Sequence, residues 1–236
     1  MENSSFGRLI GVLVSPGKTF LSIAERPTWV VALLVLAVLG MGVGLLVNER
    51  LDQRELIRKQ METFGQEPTE EQLEEAVERA ENPSPLLRAV SAVAGLAGHA
   101  LVYLFLAFLF WLVFKMLGSE MPFKASFSTY LHASIPVGIS FLLSIPVVLS
   151  RSSLEPGEAF GGLLASGPAA FVPEETRVLV KAALGGLDFF ALWALVLTVI
   201  GYRTVARVST ATAAAVAILF WLVGIGFRVG WAALLS

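Results

Sequence analysis

The stretch Val90–Phe114, VSAVAGLAGHALVYLFLAFLFWLVF, runs for 25 residues with one histidine and no acid, lysine or arginine. A helix needs about 20 mostly apolar residues to cross about 30 Å of hydrocarbon. Four more runs of similar character flank it, at Trp29–Val47, Phe127–Leu149, Ala182–Ile200 and Ala211–Leu235. Hydrophobic residues make up 56% of the 236 and the mean hydropathy is +0.74, beyond what a soluble domain of this size carries. The chain is therefore expected to be an all-α polytopic membrane protein. Its five transmembrane helices fall at 29–47, 86–117, 124–150, 178–203 and 210–235 in one membrane domain.

Composition narrows the chemistry. With no cysteine, disulfides and thiolate metal sites are excluded. A net charge of −2 offers no basic surface for nucleic acid. The apolar run Leu9–Val14 is too short for a cleavable signal, and Pro16 and Lys18 break the pattern just beyond it. No GxSxG, HExxH or phosphate-binding glycine loop occurs, and Ser91, Ser126, Ser134 and Ser140 have no nearby base in sequence. No enzyme activity, metal or cofactor is expected.

Ahead of the first span, residues 1–27 read as interfacial helices. Phe6, Leu9, Ile10, Leu13 and Val14 share one face at helical spacing, and Ser15–Pro16 opens a second short helix through Phe20 and Ile23. Arg8 and Lys18 place positive charge beside that apolar face, as in a segment lying in the headgroup plane. The alternative is that these residues pack on the end of the bundle.

After the first span, residues 48–85 turn abruptly charged and read as an extramembrane helical hairpin. Leu51, Ile57, Met61 and Phe64 stripe its first helix; Thr69 and Gln72 form a capping box for the second, with Leu73, Ala76, Val77 and Ala80 on one face. Its glutamates from Glu67 to Glu78 are expected to be mainly a solvated face. Ala159–Phe171, Gly-rich and too short to span, is expected to rest on the same outer surface.

Orientation follows the lysines and arginines of the short loops. Lys115, Lys124, Arg203 and Arg207 flank two turns that fall on the side of Arg8, Lys18 and Arg26. The N-terminus is expected in the cytoplasm and the C-terminus outside. Arg50, Arg54, Arg58 and Lys59, at the outer end of the first span, run against this.

Ionisable groups at membrane depth are costly and are functional candidates by default. Counting about 1.5 Å per residue from the cytoplasmic ends puts His99, Asp188 and Arg228 at similar depths, about 21–26 Å up, as a candidate polar cluster. In one reading Asp188 and Arg228 neutralise each other and fix register; in the other they and His99 line a cavity. Tyr130, His132 and Ser134 form a second polar group in the inner half, and Pro136 and Pro146 are candidate kinks in the third span. Neither histidine has the spacing of a metal site. Gly40, Gly42, Gly44, Gly95, Gly98, Gly226 and Gly230 are expected to let helices approach closely.

The order of three segments resembles the bacterial branch of the Yip domain family, five-span relatives of the Ypt/Rab-interacting membrane proteins. The segments are RLIGVLVSPGKTFLSIAERPTW (8–29), with Ser15, Pro16 and Phe20; FKASFSTYLHASIPVGISFLLSIP (123–146), with Tyr130, Ser134 and Pro136; and LDFFALWALVLTVIGYRTVARVSTATA (187–213), with Asp188, Trp193 and Gly201. The resemblance implies a five-helix bundle with a cytoplasmic N-terminus. It also implies a non-enzymatic role in the membrane, through lipid bilayer, membrane-protein partners or a second copy of the chain. The acidic-aromatic-Gly-Pro segment of the eukaryotic proteins has no counterpart before Trp29, so Rab binding is not carried over. Composition suits a bacterial plasma membrane. The alternative function is a small transporter, channel or lipid-moving protein using His99, Asp188 and Arg228.

Overall fold

A computed structural model describes residues 4–63, 65–154, 163–173 and 175–234. Phe64 and the Ala159–Gly162 part of the Gly-rich stretch lie outside the described residues. The elements are helices: α1 (Ser5–Val14), α2 (Pro16–Glu25), α3 (Val30–Asn48), α4 (Gln53–Thr63), α5 (Glu70–Glu81), α6 (Pro85–Met116), α7 (Phe123–Ala133), α8 (Ile135–Leu149), α9 (Val178–Leu184), α10 (Phe189–Val205) and α11 (Thr210–Leu234). Short 3₁₀ turns occupy Pro168–Phe171 and Gly185–Leu187. No strand is found among the described residues beyond an isolated parallel bridge between Leu51 and Leu154.

Among the described residues four helical stretches are long and apolar enough to cross a membrane: α3, α6, α7–α8 together, and α11. A fifth results if the bent pair α9–α10 counts as one span. The chain is an all-α polytopic membrane protein.

The described chain divides into two compact units. The first comprises residues 1–41, 96–142 and 189–223. In it α2 packs on α10 and α7, and α1 lies against α2 and α7. Phe20 and Ile23 of α2 are fully buried, joined in the core by Leu36, Phe110, Phe114, Leu131, Leu197 and Tyr202. An aromatic stack ties three helices together. Tyr202 lies 4.6 Å from Phe110 and 5.0 Å from Phe114, and Phe220 meets Phe110 edge-on at 4.7 Å. The tyrosine hydroxyl is not stranded in hydrocarbon. Tyr202 Oη is 3.0 Å from Ser126 Oγ, which donates to Ala107 O at 2.8 Å.

α7 and α8 part at Ser134 for a local reason. Pro136 has no N–H to give His132 O, so the ladder is interrupted two residues earlier. Ser134 Oγ donates to Tyr130 O at 2.9 Å, and Val137 N bonds Ser134 O at 3.0 Å in a tighter turn.

The second unit comprises residues 42–95, 143–188 and 224–236. Here α4 and α5 pair as the expected hairpin, and its capping box is complete: Gln72 N donates to Thr69 Oγ1 and Thr69 N to Gln72 Oε1. Leu73 is buried to 1%. Arg50 is engaged with backbone, its guanidinium donating to Val148 O, Leu149 O and Arg151 O at the end of α8. A cation there meets both the orphan carbonyls and the negative end of the helix dipole.

Three expectations need correction. The fourth stretch is not a continuous helix over 178–203. After the Gly185–Gly186 pair the chain turns extended at Asp188 (φ −67°, ψ 144°) before α10 starts. Ser15, placed by the sequence to cap the helix that Pro16 opens, makes no side-chain cap. Its carbonyl instead receives Thr19 N at 3.1 Å and Thr19 Oγ1 at 3.0 Å. Close glycine packing holds at Gly40 but not at Gly42, Gly44, Gly98, Gly226 or Gly230, where an added Cβ would meet nothing within 4 Å among the described residues.

The tight approach falls elsewhere, at Gly201 on α10. A Cβ there would stand 2.7 Å from Thr129 Cγ2 and 2.9 Å from Phe20 Cε1, inside the α2–α7–α10 contact. Gly201→Val is expected to cost about 1–3 kcal/mol, the usual range for overpacking. Gly42→Ala should be neutral or slightly stabilising. Thermal unfolding of both variants in detergent checks the pair.

Candidate functional site

The first unit holds a buried charged network that the sequence did not announce. α1 turns Arg8 and Val12 inward, and Arg8 is only 3% exposed. No carboxylate pairs with it among the described residues. Its Nη1 donates to Arg26 O at 2.6 Å and Thr28 Oγ1 at 2.8 Å, and Nη2 to Ser22 Oγ at 2.9 Å and Ser22 O at 3.3 Å. Nε is buried without a partner among the described residues. Burial first, and the charge of Arg26 second, pull the Arg8 pKa below its usual value. A guanidinium nevertheless stays protonated in proteins, so the site holds a permanent cation. This corrects the expectation that Arg8 lies exposed beside the apolar face.

Two further contacts extend the network into α7. Ser128 Oγ donates to Thr28 O at 2.7 Å, and His132 Nδ1 is 2.8 Å from Ser128 O. A carbonyl only accepts, so Nδ1 carries a hydrogen. His132 is 1% exposed. Of the secondary candidates, His132 thus joins this network. Ser134 serves the α7–α8 break, and Tyr130 packs at 5.5 Å from Phe110 and 6.2 Å from Tyr103.

The primary cluster divides between the two units. His99 belongs to the first, its Cδ2 and Nε2 each 2.8 Å from where a Gly40 Cβ would be, with Phe141 alongside. Asp188 and Arg228 belong to the second and are close enough to interact electrostatically. Asp188 stands immediately before α10, where a carboxylate suits the orphan N–H groups and the positive helix end. It also accepts a hydrogen bond from Ser166 Oγ. Arg228 donates to Gly185 O at 3.3 Å, a carbonyl beside the break. The surrounding chain is drawn close. A Cβ on Gly167 would meet Asp188 Cα at 3.1 Å, and one on Gly186 would meet Ile225 Cγ1 at 2.5 Å. Acid at a helix start and base at a helix end are what an interrupted helix at membrane depth requires. Pro146 sits within α8.

No group of three or more metal-ligating side chains occurs among the described residues. An apolar groove of about 300 Å³ opens on the first unit, lined by Trp29, Leu33, Leu104, Phe123, Lys124 and Phe127 among others. A second, more polar cleft of about 410 Å³ lies where the α6–α7 and α10–α11 turns meet the end of α2.

These helices, turns and entry segment follow one family model, that of the Yip1 domain, over residues 10–230. The chain belongs to the Yip1 domain family. No curated protein and no solved structure matches it. Within this Yip1 domain the family match begins two residues after Arg8, so the buried cation stands at its very edge.

Breaking the Arg8 network should be costly. Arg8→Met leaves the Arg26 carbonyl and two hydroxyls without this donor, and Ser22 O with only its helical bond from Arg26 N; about 3–5 kcal/mol of destabilisation is expected. Arg8→Lys should recover little, since one ammonium cannot reproduce the planar fork. Limited proteolysis at the α1–α2 segment, with thermal unfolding in detergent, reads both effects. Arg228→Met should cost about 1–3 kcal/mol through an unpaired Gly185 carbonyl. Asp188→Asn, which keeps a hydrogen-bond acceptor, should cost less in the same assay.

Proposed function

We propose that this Yip1-domain protein is a non-enzymatic organiser of the membrane in which it sits, with α1 and α2 as its working surface on the bilayer. One observation carries the reading. While Arg8 and Val12 face inward, Phe6, Ile10 and Val14 stand 68%, 66% and 74% exposed at i, i+4, i+8, and Leu21 of α2 is 58% exposed. An amphipathic helix of this kind buries its apolar row some 5–10 Å into the headgroup–acyl boundary. The pair does both things weighed from sequence: one face packs on the bundle and the other is left to lipid. Because α2 is locked to α7 and α10 by Phe20, and α1 is locked to α2 by Arg8, insertion of that row is mechanically coupled to the bundle.

The reading includes a cytoplasmic N-terminus in a bacterial plasma membrane and a single span made from α9 and α10. The charge distribution supports that orientation. Arg50 is engaged with carbonyls, Arg54 pairs with Glu70, and Arg58 and Lys59 pair with Glu55 at 3.9 and 3.5 Å. These cations thus have local partners, although the charge rule counts lysines and arginines whether or not acids stand beside them, and they still run against it. The α4–α5 hairpin, with its exposed glutamates, is the surface we assign to a membrane-protein partner.

Absence of cysteine makes the test direct. An environment-sensitive fluorophore on an Ile10→Cys variant in vesicles should be quenched more by brominated lipid than by aqueous iodide. Replacing Phe6, Ile10 and Val14 with serine should reduce enrichment of the reconstituted protein on small, highly curved vesicles. A label quenched chiefly by iodide, or an unchanged distribution, would contradict the proposal.

A further inference from the structure

The cleft of about 410 Å³ brings three separate pieces of chain together: Ala24 at the end of α2, the α6–α7 turn through Ser119 and Glu120, and the α10–α11 turn through Ala206 and Arg207. Three helices, α2, α6 and α10, end there and two, α7 and α11, begin, as expected of a cleft at a membrane face. It is a built feature. Ser119 Oγ, buried, donates to Ala206 O at 2.9 Å and receives Met121 N at 3.2 Å, tying the two turns to one another.

At its rim Arg207 holds φ +55°, the left-handed region, and no other described non-glycine residue has positive φ. The position lies just past the last turn of α10, where a helix stop is ordinarily glycine. A β-carbon there is strained, so the side chain is retained against a conformational cost. The α6–α7 turn meets the same need with Gly118 at φ +87°.

Charge indicates what the side chain is for. Arg207 and Arg203 on one turn, and Lys115 and Lys124 on the other, are exposed. Their side chains make no hydrogen bond or ion pair among the described residues. That contrasts with Arg54, Arg58, Lys59 and Arg79 of the hairpin, each paired with a glutamate. One acid, Glu120, lines the cleft and works against a bare anion while offering an acceptor to a donor group.

We propose that this cleft binds the headgroup of an anionic glycerophospholipid, its phosphate on Arg207 and its hydroxyl donors on Glu120. Guanidinium suits the phosphate oxygens through its planar fork. The unanswered lysines and arginines supply the wider field, and a headgroup of the phosphatidylglycerol kind carries both chemistries. The site is separate from the α1 apolar row, so either proposal can fail alone.

The test titrates full-length protein in mild detergent with short-chain phosphatidylglycerol, with short-chain phosphatidylcholine and with soluble glycerol phosphate, read by calorimetry. Phosphatidylglycerol should bind tighter than phosphatidylcholine by about fivefold for each cation engaged. Arg207→Gly is the informative variant, because glycine relieves the left-handed strain. Its thermal midpoint should hold or rise while phosphatidylglycerol binding weakens about fivefold, which separates a binding defect from a folding one. Equal binding of the two lipids, or unchanged phosphatidylglycerol binding by Arg207→Gly, would overturn the site. Glycerol phosphate competing as strongly as the lipid would overturn the lipid as its source.

Discussion

A backbone carbonyl in hydrocarbon must find a donor inside the protein, and much of this structure obeys that requirement. The last four carbonyls of a helix lack intrahelical partners. Three arginines answer them. Arg8 donates to Arg26 O at the end of α2, Arg50 to Leu149 O and, just beyond it, Arg151 O at the end of α8, and Arg228 to Gly185 O where α9 runs out. Neither Arg8 nor Arg50 pairs with an acid among the described residues, whereas Arg228 also has Asp188 within electrostatic reach. The guanidinium brings several donors and a positive charge to the negative end of a helix dipole, and a lysine would bring fewer donors in no fixed plane.

That use of arginine changes how charge in the chain is to be read. A count of basic residues treats Arg8, Arg50 and Arg228 as equivalent to Arg203 and Arg207. Physically they are opposites. The first group is engaged with backbone. The second faces outward at the single α10–α11 turn. Arg50 keeps its charge while it bonds residues 148–151, so its place just past α3 has a structural reason of its own.

Class, hairpin and the outlying spans were legible because their signals are local. A run such as Val90–Phe114 needs no partner to declare itself, and Thr69 with Gln72 is complete within four residues. The break before α10 was legible in principle. Gly185–Gly186 costs a helix, and Asp188 is a favoured N-cap, so GGLDFF carries a stop and a start; hydropathy over the whole stretch hid both. The Arg8 network was not legible. Its acceptors lie 14–20 residues along, on α2 and the entry to α3, and become neighbours only when α1 folds back on α2. Periodicity set Phe6, Leu9, Ile10, Leu13 and Val14 on one face; the structure splits them, with Leu9 and Leu13 packed against the core and Phe6, Ile10 and Val14 exposed. The pattern could not say that the Phe6 edge, rather than the Arg8 edge, would be left outside.

The orientation of α1 then comes from energetics rather than from hydrophobicity alone. Turning Phe6, Ile10 and Val14 inward would bury more apolar area, but would leave the end of α2 without its donors. In a soluble protein exposure of three such side chains would weigh heavily against the observed choice. On the proposed placement beside a bilayer it does not, because lipid would solvate the outward row as well as a core would, whereas it would offer nothing to the Arg26 carbonyl. In that setting the face worth burying is the one that joins the Arg8 fork to Val12, Leu9 and Leu13.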